Sequence, residues 1–218
     1  MTAAALAMSE LELDALSELV NIGVSRAAAS LRDMANEEVR LSVPSVSVLS
    51  AQEAAKLLGA REKGNLVAIH QAFAGDFRGR ALLIFPETNS LELVRAVSGS
   101  DLPLEDIIDL EQEALGETGN IILNGCLGTI GNLLHRSLTV SLPEVLRGQG
   151  EEIFNLAGNL REGDVVLFLF IDFSLKKSAV RGYIAMLMDL PGLTSLRALL
   201  SDYIDRESSG TSGTHAQP

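Results

Sequence analysis

Residues 14–21, Asp14-Ala15-Leu16-Ser17-Glu18-Leu19-Val20-Asn21, and residues 113–120, Glu113-Ala114-Leu115-Gly116-Glu117-Thr118-Gly119-Asn120, carry one polar pattern at a constant offset of 99 residues. The same offset pairs Pro44 with Pro143, each 23 residues after its asparagine. On background residue frequencies, Glu-x-x-Asn followed by Pro at that distance arises at roughly one start in ten thousand. Its recurrence implies an internal repeat.

Working outward, each copy opens a long helix. Ser9 and Glu12 form an N-terminal capping box, and the first helix is predicted to run to about Met34. At 100° per residue, Asp14, Glu18, Asn21 and Ser25 fall within about 60° of one another, with Leu16, Val20, Gly23, Ala27 and Leu31 opposite. The second helix, predicted from about Leu110 to Leu134, repeats the stripe as Glu113, Glu117, Asn120 and Asn124. Leu115, Ile122, Cys126, Ile130 and Leu133 lie behind it, so Cys126 reads as core. Both stripes are expected to face solvent.

The elements after each helix recur too. Strands are predicted at Val39 to Leu49, Asn65 to Ala74 and Gly79 to Phe85, with short helices at Ala51 to Leu58 and Glu87 to Val97. The second half offers strands at Leu138 to Leu142, Val165 to Phe173 and Val180 to Met188. A short segment lies around Glu144 to Leu156, and a closing helix at Leu193 to Ile204. Arg78-Gly79 and Arg181-Gly182 each introduce an apolar strand. Neither half can cover both faces of a sheet alone. The prediction is therefore an α+β fold: one pseudo-twofold domain over 1–205, with halves of about 9–100 and 109–205. Its shared antiparallel sheet is packed by the two long helices and the shorter ones. Residues 206–218 lack apolar side chains and are predicted to be a disordered tail.

Composition narrows the function classes. A formal charge of −12 disfavours nucleic acid and acidic membrane surfaces, and Lys176-Lys177 is the only basic pair that stands out. The apolar start from Met1 to Met8 lacks a basic region, and no apolar run reaches the roughly 20 residues of a membrane span. Membrane insertion is not expected. The one cysteine and three histidines form no recognisable zinc set, and a lone thiol fits a reducing cytoplasm. His70 and His135 have no triad or metal context and read as structural or surface residues. A phosphate-cradling glycine loop is also missing.

The quoted motifs resemble the signature of the CheC/CheX/FliY chemotaxis phosphatases: Asp or Ser, three residues, Glu, two residues, Asn, 22 residues, Pro. The first copy fits throughout as Asp14, Glu18, Asn21 and Pro44. The second has Glu113 in place of Asp or Ser, ahead of Glu117, Asn120 and Pro143. Two motifs make CheC a closer likeness than CheX, which keeps one site per chain, and the lack of a further domain points away from FliY. The resemblance implies a phosphatase acting on the aspartyl phosphate of a CheY-like response-regulator receiver. In that picture Asn21 and Asn120 hold the attacking water, and Glu18 and Glu117 pair with the receiver's lysine. Asp14, Glu113, Pro44 and Pro143 play supporting roles. No cofactor of the protein's own is implied, since the receiver supplies Mg²⁺. The alternative is a non-catalytic CheC-like adaptor that docks a receiver or the deamidase CheD.

Overall fold

A computed structural model of the protein describes residues 8–35, 38–90, 93–94, 104–158, 164–175 and 178–211. Residues 1–7, Lys176-Lys177, the end of the helix predicted to reach Val97, and residues 212–218 of the predicted tail lie outside them.

The first motif sits on α1 (Glu10–Ala35), opened by the expected capping box. The Ser9 amide donates to Glu12 Oε2 at 2.6 Å and the Glu12 amide to Ser9 Oγ at 3.2 Å. Then follow β1 (Val39–Ser50), α2 (Ala51–Arg61), β2 (Leu66–Gly75) and β3 (Gly79–Pro86). The second motif sits on α3 (Leu104–Leu133), ahead of β4 (Leu138–Val140), β5 (Glu144–Gly148), α4 (Gly150–Leu156), β6 (Val165–Leu175), β7 (Ser178–Met188) and α5 (Leu190–Thr211).

These strands form one seven-stranded sheet in the order β1-β6-β7-β3-β2-β4, with β5 also on β2, and every pairing is antiparallel. The order reads alike from either edge when β1, β2 and β3 are exchanged for β5, β6 and β7. Each half thus lends its first strand to the other half's second. One face of the sheet carries the larger core, where Val67, Ile69, Leu167 and Leu169 meet Leu16, Leu19 and Val20 of α1, Ile122 and Leu123 of α3, and Leu196 and Leu200 of α5. On the other face, Ala54 and Leu58 of α2 and Ile153 and Phe154 of α4 cover Leu82, Ile84, Val166 and Phe168.

The long helices meet at backbone distance. A Cβ built on Gly23 would lie 2.8 Å from both Cys126 Cα and the Gly125 carbonyl oxygen, so only glycine fits that crossing. Burial pushes the Cys126 thiol up to about 12, which makes it an inert core group as expected.

Several boundaries differ from the expectation. The strand predicted to run to Leu142 stops at Val140, and the segment from Glu144 is a second strand, β5, before a helix. Pro143 lies between the two, where it has no amide hydrogen to give a ladder. Gly79 opens β3, but Gly182 lies inside β7 opposite Ile171, so Arg181-Gly182 does not start a strand. The closing helix extends to Thr211, so residues 206–211 of the predicted tail are helical. Helix propagation there follows from one bond gained per residue added to a helix already docked by Leu193, Leu196 and Leu200. Where a helix was predicted from Glu87, the chain first makes a 3₁₀ turn, Glu87–Asn89.

Candidate functional site

Asp14 and Glu18 on α1, and Glu113 and Glu117 on α3, are exposed as predicted. The asparagines are half-buried, and their surroundings differ.

On α1, the Asn21 carboxamide is turned onto β1 and does not face outward. Its Nδ2 donates to the Ser17 carbonyl at 3.0 Å and the Val43 carbonyl at 3.3 Å, while its Oδ1 accepts from the Val43 amide at 3.0 Å. The cause lies one residue on. Between Ser42 and Ser45 the β1–β6 register slips, with three steps on β1 matched to two on β6. Pro44 sits in that bulge and has no N–H to offer β6. Val43 is left with backbone groups that the ladder does not use, and Asn21 supplies both partners. The Asn-to-Pro spacing of the motif therefore has a structural meaning here, and Pro44 marks a bulge inside its strand.

On α3, Asn120 makes no backbone clamp. Its Oδ1 accepts from Gln71 Nε2 at 3.0 Å and from Asn124 Nδ2 at 2.7 Å. Gln71 also donates to the Ser141 carbonyl at 2.9 Å, so β2 stands between the helix and the strand that precedes Pro143. Among the described residues, the Asn120 amide hydrogens have no partner. Leu142, next to Pro143, is 86% exposed, whereas Val43, next to Pro44, is 4% exposed. Gly119 brings α3 down onto β2, since a Cβ there would lie 2.4 Å from Ile69 Cγ2.

Two further carboxylates share the 99-residue offset, Glu12 and Glu111. Arg197 of α5 reaches Glu12 Oε1 at 3.1 Å, and Arg147 of β5 reaches Glu111 Oε2 at 2.8 Å. Burial alone would raise the Glu12 pKa, but the bonds from Ser9 and Arg197 outweigh it and leave the group below the ordinary carboxylate value. These pairs tie α1 to α5 and α3 to β5. The α1 face is also shouldered by α5: Tyr203 is held above its ordinary pKa by burial, then by the charges of Glu207 and Glu18.

The histidines lie elsewhere. His70 Nδ1 is 3.5 Å from Glu144 on the neighbouring strand. His135 takes φ 55° where α3 ends and acts as its left-handed cap. Among the described residues, no group of three His, Cys, Asp or Glu side chains could hold a metal ion, and no helix is long and apolar enough to cross a membrane.

Sequence reading missed Gln71 and the Val43 backbone. A glutamine in an apolar strand was the only signal available for the first, and the proline spacing was the signal for the second.

Comparison with known proteins bears on the same residues. A model of the chemotaxis phosphatase CheX matches residues 67–169, and a model of the CheC-like family matches residues 11–48. The CheY-P phosphatase CheC of Bacillus subtilis is 28% identical over 141 residues, which cover 63% of this chain and 67% of that protein. The flagellar motor switch phosphatase FliY of the same organism is 23% identical over 203 residues; the match spans 92% of this chain but about half of FliY, 51%. The crystal structure of Thermotoga maritima FliY superposes with a TM-score of 0.70 at 14% identity, covering 92% of this chain and 98% of that one.

Proposed function

We propose that the chain is a CheC-type chemotaxis phosphatase, and that it stimulates hydrolysis of the aspartyl phosphate on a CheY-like receiver in the cytoplasm. The observation that carries this reading is Asn120: a carboxamide on a solvent-facing helix, its oxygen anchored and its N–H groups without a partner among the described residues, one turn after the exposed Glu117.

Phosphoryl transfer of this kind asks for positioning and charge stabilisation more than for a strong base. A neutral carboxamide suits that task because it can donate to a phosphoryl oxygen and accept from water, and it does not ionise. In the proposed reaction the water oxygen bonds to phosphorus as the bond from phosphorus to the aspartyl oxygen breaks. Orthophosphate leaves and the receiver's carboxylate is regenerated. Glu117 meets the receiver's lysine and sets the approach, and the receiver brings its own Mg²⁺. With two donors already on Oδ1, Asn120 offers donors first. Accepting from the water requires it to exchange Asn124 for that water.

Asn21 and Glu18 form the second proposed site, in which Asn21 must first leave Val43. A helix face whose carboxamide is occupied can dock a receiver and leave its phosphate intact, so the adaptor reading is favoured at α1. We also infer that the halves are copies of one unit, a reading supported by the repeated motif and the mirrored strand order.

The test follows the decay of phosphorylated candidate receivers with and without the protein. Acceleration is expected, and the Asn21→Ala/Asn120→Ala double variant should lose it while remaining folded. Acceleration by the folded double variant would refute the assignment.

A further inference from the structure

We propose that Gln71, on β2, is the positioning residue of the α3 site and acts by setting which way the Asn120 carboxamide points. This rests on the phosphatase reading above.

Gln71 is fully buried, in a row of β2 with Val67, Ile69 and Phe73 that faces the long helices. Packing alone would place an apolar residue there, and the other half does so. With Ser45 and Glu144 as counterparts, their strand partners Phe170 and His70 correspond, and one residue further on Ile171 corresponds to Gln71. Ile171 is buried and apolar. A primary amide at this depth is unfavourable unless its bonds are made, and Oε1 has no partner among the described residues. The residue therefore weakens packing and polar satisfaction together, which points to a role beyond the core.

The bonds define that role in sequence. The Ser141 carbonyl can only accept, so the group of Gln71 that faces it is Nε2, the donor. The second hydrogen of Nε2 is then directed at Asn120, which must present oxygen to receive it. Asn124 donates to the same oxygen from one turn further along α3. A backbone carbonyl thus sets Gln71, Gln71 sets Asn120, and the Asn120 N–H groups are sent to the side away from β2. On α1, where the counterpart is Ile171, Asn21 closes directly onto the Val43 backbone. Gln71 also lies at a place where the strand is tied to the Pro143 segment, since the Ala72 amide donates to Ser141 Oγ at 2.9 Å.

The experiment uses the full chain with Gln71→Leu and Gln71→Met, the second keeping side-chain length should the first fail to fold. Decay of a phosphorylated receiver is measured at saturating enzyme, and binding is measured with the beryllofluoride-activated receiver. The expected result is a maximal rate lowered roughly ten- to a hundredfold with binding unchanged. In an Asn120→Ala background the same substitution should have no further effect. Equal losses in both backgrounds, or a wild-type rate in a folded Gln71 variant, would overturn the proposal. A readout independent of turnover separates it from the phosphatase reading. The side-chain NH₂ resonances of Asn120, assigned by their loss in Asn120→Ala, should shift and broaden in the Gln71 variants. Unmoved resonances overturn the positioning role whether or not any receiver is dephosphorylated.

Discussion

The α1 and α3 motifs share Glu-x-x-Asn and a following proline at the same spacing, yet their asparagines do different things. Asn21 completes the backbone of a bulged edge strand and has every hydrogen-bonding group engaged. Among the described residues, Asn120 is held by its oxygen alone, through Gln71 and Asn124, and its N–H groups have no partner. A short motif therefore specifies which side chains are available, while the strand beneath decides how they point. One buried residue, glutamine on β2 or isoleucine on β6, marks the difference.

This contrast can be broken most forcefully by stability. Asn21→Ala leaves the Val43 N–H and C=O without partners and should cost about 1–3 kcal/mol, while Asn120→Ala, which leaves one hydrogen of the buried Gln71 amide unpaired but no backbone group, should cost about 1 kcal/mol. Urea midpoints at unchanged slope would measure both. Equal losses would show that the two carboxamides are anchored alike.

Charge reversal sharpens the contrast at the surface. Glu117→Lys should raise the receiver concentration needed for half-maximal stimulation about tenfold, equivalent to about 1.4 kcal/mol, and Glu18→Lys should raise it less than about twofold. A titration of each variant decides it, and a reversed ranking would assign productive docking to α1.

The smallest effect concerns His70, beside Gln71 on β2. Burial depresses its pKa below the ordinary 6.5, against the opposing pull of Glu144 and with a lesser lowering from Arg80. The unfolded chain then binds the proton more readily than the folded one, so stability is lost as pH falls from 6.5 through the lower folded value. His70→Leu should flatten that part of the stability profile. An unchanged slope would place the titrating group elsewhere.

Much of this architecture was legible because it rests on local chemistry. The Ser9–Glu12 capping box, the helical stripes and the strand alternation each involve neighbours within a few residues, and α1, β1, β2 and β3 lie close to where they were expected. What escaped depends on distant partners. The orientation of Asn21 depends on a carbonyl 22 residues away, and that of Asn120 on a glutamine 49 residues away. The split of β4 from β5 depends on the two strands meeting β2 at different places, which no periodicity records. The run of α5 to Thr211 reflects propagation from a docked helix, since Asp205 to Ser209 are exposed.

The central claim is that Asn120, not Asn21, carries most of the chemistry, and the decay of one phosphorylated receiver with each single alanine variant tests it directly. The account predicts that Asn120→Ala loses roughly a hundredfold of the stimulated rate and that Asn21→Ala, measured where it is folded, loses less than about tenfold. An Asn120→Ala variant that retains the stimulated rate, with Asn21→Ala losing it, would contradict the account.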